Sequence, residues 1–130
     1  MSRPLTIITL EKSYAICRLE PRAAVPDWAV SATFCSVTRT KNELSIVCEA
    51  ARVPPEVKAE RNRRVLRIEG PLAFELTGVL ASVALPLANA GISIFSLSTY
   101  DTDYLLVSDQ DLQETTRVLE AAGHEVRRSP

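Results

Sequence analysis

The chain has 130 residues, 46% of them hydrophobic and 24% charged, with 15 basic and 16 acidic side chains and a formal net charge of −1. That length holds one domain or two small half-domains, and the near-neutral balance offers no basic face for nucleic acid. The longest apolar run, Val79 to Ala90, contains Pro86 and is too short to span a bilayer.

Met1 to Thr6 enters a strand-like pattern directly and lacks the apolar core of a signal peptide, so a cytoplasmic location is expected. Leu5 to Leu10 reads as a strand, Glu11-Lys12-Ser13 as a turn, and Tyr14 to Arg18 as a second strand. Pro26-Asp27-Trp28 has the residues that start a short helix. Trp28, the single tryptophan, is expected as a core anchor. Ala32 to Thr38 and Glu43 to Glu49 are rich in β-branched residues and form a hairpin across Arg39 to Asn42. Cys17, Cys35 and Cys48 match no zinc or redox spacing, and they suit a reducing compartment as small buried hydrophobes. Val53-Pro54-Pro55 marks a junction, giving residues 1–55 as one half and 56–130 as the other. The run Glu60 to Arg64 reads as a solvated connector without the interleaved aromatics of a nucleic-acid site.

In the second half, Val65 to Glu69 alternates as a strand and Gly70-Pro71 breaks it. Thr77 to Ala90 reads as a helix with Leu80, Val83, Ala84 and Leu87 on one face. Pro86 removes the bond to the Ser82 carbonyl, which predicts a kink or a register shift. Gly91 suits a left-handed C-cap. Ile92 to Thr99 and Tyr104 to Val107 form a hairpin across Tyr100 to Asp103. Asp109 or Asp111 then caps a second helix, with Leu112, Thr116 and Leu119 inward and Gly123 at its end, and His124 to Arg127 is a final strand. The pattern predicts an α+β protein with two ferredoxin-like βαββαβ subdomains, the first truncated around a small helix.

Several stretches occur here in one order: Pro26-Asp27-Trp28, Ser36 to Thr40, Glu43 to Val47, Gly70-Pro71, Leu76 to Ala81 and Ser98 to Tyr104. Together they resemble small bacterial tandem ACT-domain proteins, similar in turn to aspartokinase regulatory domains and cytosolic arginine sensors. The resemblance runs from about Ile8 to Val126 and departs at Arg63-Arg64-Val65, where an aromatic residue is expected. It implies ACT-type subdomains and a ligand-sensing or regulatory role with no reaction of its own.

The loop Phe74 to Gly78 leading into Val79 is the strongest local candidate site. Backbone N–H groups and the positive end of the helix dipole can receive a carboxylate there. Gly78 would allow close backbone approach and Thr77 would add a hydroxyl. Alternatively Thr77 only caps the helix and Gly78 eases a turn. Amino-acid-binding ACT domains are similar in using this loop. Glu75 and Asp103 could take the ammonium or guanidinium end of an amino acid, and Ile94 completes the set. Asp101 is read as turn chemistry.

Ile92 to Thr99 is half apolar on both faces, so this strand and the preceding helix are the expected contact surface of a homodimer. His124, the single histidine, is expected at the surface and leaves neither a triad partner nor a histidine cluster for metal. Glu43 and Glu49 show no acid–base partner. The expectation is an amino-acid sensor or regulator that is not an enzyme and uses no cofactor or metal. A dimerisation scaffold without a ligand is the alternative.

Overall fold

The computed structural model describes residues 4–73 and 77–130, so Phe74, Glu75 and Leu76 of the candidate loop lie outside the described residues. The strands and helices are β1 (Thr6–Thr9), β2 (Tyr14–Leu19), β3 (Ser36–Arg39), β4 (Leu44–Glu49), β5 (Ala59–Ile68), α1 (Val79–Asn89), β6 (Phe95–Ser98), β7 (Asp103–Ser108), α2 (Leu112–Ala121) and β8 (Glu125–Arg128). They form two units, residues 1–11 with 64–130, and residues 12–63. This differs from halves at 1–55 and 56–130: the first strand joins the second unit, and the division falls inside β5.

The sheet of the larger unit runs β8-β1-β5-β7-β6. A βαββαβ unit by itself would set its last strand beside its first. Here β1 is inserted between them, parallel to β8 (Thr6↔Glu125 to Thr9↔Arg128) and antiparallel to β5 (Ile7↔Ile68 to Thr9↔Leu66). The reason lies in its side chains. Ile7, Ile8 and Thr9 are buried in succession, a pattern that a central strand accommodates and an edge strand does not. α1 places Val83 and Leu87 in a core with Leu5, Ile7, Leu66, Ile68, Leu105, Val107 and Leu119, while Leu80 is half-buried. α2 buries Thr115 and Leu119; the expected Thr116 instead returns its hydroxyl to the Leu112 carbonyl at 3.0 Å.

His124 is buried at 5% exposure, which corrects its assignment to the solvated surface. Its Nδ1 accepts from the Leu5 N–H at 3.1 Å, and its Nε2 lies 3.1 Å from the Ser82 carbonyl oxygen. An amide can only donate and a carbonyl only accept, so the ring is neutral with its proton on Nε2. Ser82 is four residues before Pro86, and its carbonyl is the one that Pro86 leaves without a helical donor. The helix runs through Pro86 from Val79 to Asn89, and the imidazole takes the place of the missing donor.

The smaller unit orders its strands β3-β4-β2-β5, all antiparallel. The Glu60 to Arg63 run is strand rather than connector, and Arg61 is held by the carbonyls of Pro54 at 2.8 Å and Val57 at 3.3 Å. The expected helix start at Pro26 is a 3-10 turn, Asp27–Ala29. Trp28 packs beside a core of Ala15, Cys17, Leu44, Ile46 and Cys48, and Cys35 is half-buried against it. The contact with the neighbouring Cys17 sulfur, followed by burial, raises the Cys48 thiol above its ordinary range. Tyr14 meets Phe34 edge-on, with ring centroids 5.9 Å apart. The Tyr14 hydroxyl donates to Thr33 at 3.3 Å, Thr33 donates to Glu49, and Lys12 reaches the other Glu49 oxygen at 3.4 Å. Glu49 thus has partners that strand spacing did not reveal.

Two outcomes follow from these networks. His124→Ala should cost about 2–4 kcal/mol in urea unfolding, because one buried and one part-buried backbone group lose their partners. The loss should shrink by about 1 kcal/mol in a Pro86→Ala background, where a new amide can serve the Ser82 carbonyl. The Thr33 hydroxyl bond, followed by Lys12, holds the Glu49 carboxyl below its ordinary range. Its contribution is therefore present above the unfolded-state value of about 4.3 and is lost as pH falls through the lower folded value. The urea midpoints of wild type and Glu49→Gln should differ most above about pH 5 and converge on acidification.

Candidate functional site

The N-cap of α1 is Gly78, whose φ of +77° and ψ of 1° put it in the left-handed region and which has no side chain of its own to cap the helix. Thr77 is exposed and does not act as the cap. Gly78 is exposed, and its carbonyl accepts the first helical bond, from Ser82 N–H at 2.9 Å. By helix geometry the amides of the first turn have no partner further back in the helix. A Cβ built on Gly78 would meet nothing within 4 Å among the described residues. Glycine suits the left-handed backbone conformation here, as the reading of Gly78 as easing a turn expects.

Close approach occurs at Gly70. A Cβ there would lie 3.0 Å from the Asp101 carbonyl oxygen and 3.1 Å from Thr102 Cβ. The Leu72 N–H donates to that same Asp101 carbonyl at 2.8 Å, and the Thr102 hydroxyl donates to the Ile68 carbonyl at 2.6 Å. These contacts press the 99–102 turn against the end of β5. The turn is closed by Thr99 N–H on the Thr102 carbonyl at 2.8 Å.

Asp103 leaves this turn as the first residue of β7, directly opposite Ser98 on β6. Its Oδ1 accepts from the Ser98 hydroxyl. Val79 and Ile94 are both half-buried against the core that α1 covers. Of the expected site residues, Val79 and Ile94 thus share one apolar surface, Thr77 and Gly78 form the helix start, and Asp103 stands at the turn. Glu75 lies outside the described residues.

A mixed polar and apolar groove of about 1200 Å³ lies elsewhere in the same unit. Thr9, Arg64, Gln113, Thr116, Val126 and Arg128 are among the residues lining it. Arg64 donates to the Leu10 carbonyl at 3.1 Å, the Glu11 carbonyl at 3.2 Å and Asp109 at 3.3 Å. Its Nε is buried without a partner among the described residues. Asp109 is therefore engaged by Arg64 rather than capping α2, and Asp111 makes no side-chain cap bond either. The sequence signal for Arg64 was the missing aromatic before Val65, read there only as a departure. Among the described residues no three metal-ligating side chains gather, and no helix is long and apolar enough to cross a membrane.

The helix-on-sheet arrangement of the larger unit is that of an ACT domain, and the ACT-domain family model matches residues 58–121. A second family model, for an N-terminal domain, matches residues 12–56. The chain belongs to the ACT-domain proteins. A protein of Agobacterium tumefaciens solved by a structural-genomics consortium is 40% identical, with a TM-score of 0.93 over 99% of this chain and 96% of that one. The human cytosolic arginine sensor for mTORC1 subunit 1 is 32% identical over 98 residues, or 69% of this chain, and the chain spans 30% of that protein's length. The aspartokinase alpha and beta subunits share the fold at 16% identity, with a TM-score of 0.61 over 90% of this chain and 96% of theirs.

The packing at Gly70 sets a test. Gly70→Ala should lower stability by about 1–3 kcal/mol, because the added methyl meets a backbone oxygen that cannot move alone. Thermal unfolding of the variant beside wild type reads this directly, and an unchanged midpoint would contradict the contact.

Proposed function

We propose that this protein is a non-catalytic regulatory ACT-domain protein that binds a free amino acid at the start of α1. The observation that carries the reading is a helix N-terminus capped by a left-handed glycine, which has no side chain of its own for the first-turn amides and no described residue within 4 Å of where its Cβ would stand. A carboxylate there would accept from first-turn amides and lie at the positive end of the dipole. Thr77 adds a hydroxyl, Val79 and Ile94 supply apolar contact, and Asp103 receives a cationic end. Glu75 joins this set on its place in the loop. The likeness to a cytosolic arginine sensor supports an amino-acid ligand and a cytoplasmic location.

A second reading is a dimerisation scaffold without a ligand. It is favoured by Leu85 on α1 and Phe95 on β6, which are 60% and 36% exposed. A homodimer joined through α1 and β6 would cover both. The two readings are compatible in surface and differ in whether a ligand stabilises the fold.

A thermal-shift screen of the twenty amino acids separates them, since a ligand of the folded state raises Tm by mass action. The expected result is stabilisation by an amino acid with a cationic side chain. Calorimetric titration of Asp103→Asn with that amino acid should show affinity weaker by about 1–3 kcal/mol, the worth of a charge-assisted bond. No shift with any amino acid would leave the scaffold reading standing.

A further inference from the structure

We infer that the free edge of β8 is a self-pairing surface, joining a second copy of this chain through an antiparallel strand centred on Val126. β8 ends the sheet of the larger unit and pairs only with β1 among the described strands. The Glu125 N–H donates to the Leu5 carbonyl at 2.9 Å and the Ser129 N–H to the Thr9 carbonyl at 2.8 Å, so the odd-numbered residues direct their backbone groups to β1. Val126 and Arg128, by the alternation of a strand, direct theirs to the open edge. A two-fold axis at Val126 would let its N–H and carbonyl exchange two bonds with the same groups of the second copy.

Charge selects that register. In antiparallel pairing about a two-fold axis, residues equidistant from the centre face each other on the same side of the sheet. Centring on Val126 places Glu125 opposite Arg127 twice, with Val126 against Val126 on the other face. Centring on Glu125, Arg127 or Arg128 places a like-charged pair at the centre, which is destabilising for directly opposed residues. Within one chain Glu125 and Arg127 already pair at 2.6 Å, and both side chains are more than half exposed. Pairing two copies lets each guanidinium bridge two carboxylates. A short charged edge normally repels an added strand, and this one repels every such register except one. The surface is separate from that formed by α1 and β6.

Two charge reversals test it. Glu125→Arg makes the face of β8 that carries residues 125 and 127 basic at both positions and Arg127→Glu makes it acidic at both, so each variant alone should repel its own copy. Sedimentation equilibrium should show the wild-type assembly at twice the mass of either single variant. An equimolar mixture of the two variants should restore the wild-type mass, because each basic edge then faces an acidic one. An ion pair within one chain cannot produce that rescue, since both single variants lack it. Circular dichroism checks that both variants remain folded, and Arg127→Gln offers a milder loss if either does not. Equal masses for wild type and both folded variants, or a mixture no heavier than its components, would overturn the assignment.

Discussion

Two hydrogen bonds to one imidazole tie together the three parts of the larger unit that sequence order keeps far apart. His124 takes the Leu5 amide on one side and gives its proton to the Ser82 carbonyl on the other. Leu5 leads into β1, Ser82 lies in α1, and His124 leads into β8. The neutral ring serves as a backbone surrogate at the point where Pro86 interrupts the helix ladder. Because the Leu5 amide is buried and the Ser82 carbonyl part-buried, loss of the ring leaves two polar groups poorly satisfied, and that asymmetry makes the contact hard to replace.

The inserted strand explains the rest of the unit's geometry. β1 supplies Ile7 to the core under α1 and carries β8 as its parallel neighbour. β8 therefore becomes an edge whose outward backbone groups belong to Val126 and Arg128. At the far side of the sheet, β7 emerges from a turn that Gly70 lets sit against β5. That turn sets where Asp103 begins its strand, while Gly78 sets where α1 begins. Backbone requirements at two glycines thus position the residues proposed to hold a ligand.

Much of this was legible in the residues. The order of strands and helices followed from apolar spacing, from Gly70-Pro71 and Gly91, and from the β-branched hairpin before Pro54. A helix from Thr77 and a strand from Tyr104 were likewise readable from local chemistry, and they begin at Val79 and Asp103. Non-local pairing was not. Leu5 to Leu10 showed a strand but not its neighbours, since nothing local distinguishes insertion beside β8 from pairing with β2. Glu60 to Arg63 looked solvated because its charges hid a strand in which Arg61 spends its guanidinium on carbonyls. His124 looked like a surface residue near a polar chain end, and only the freed Ser82 carbonyl hinted at a donor. Gly70 was readable only as a strand breaker, because its close approach depends on a turn some thirty residues later.

The account's central claim is that a small carboxylate ligand meets the first-turn amides of α1. Amide nitrogen–proton NMR spectra recorded while titrating the most stabilising amino acid test it most directly. The account predicts saturable shifts that are largest at Val79, Leu80 and Ala81, with Asp103 moving along the same isotherm. Shifts confined to the groove around Arg64, Gln113 and Thr116, with the first turn of α1 unmoved at saturation, would contradict it.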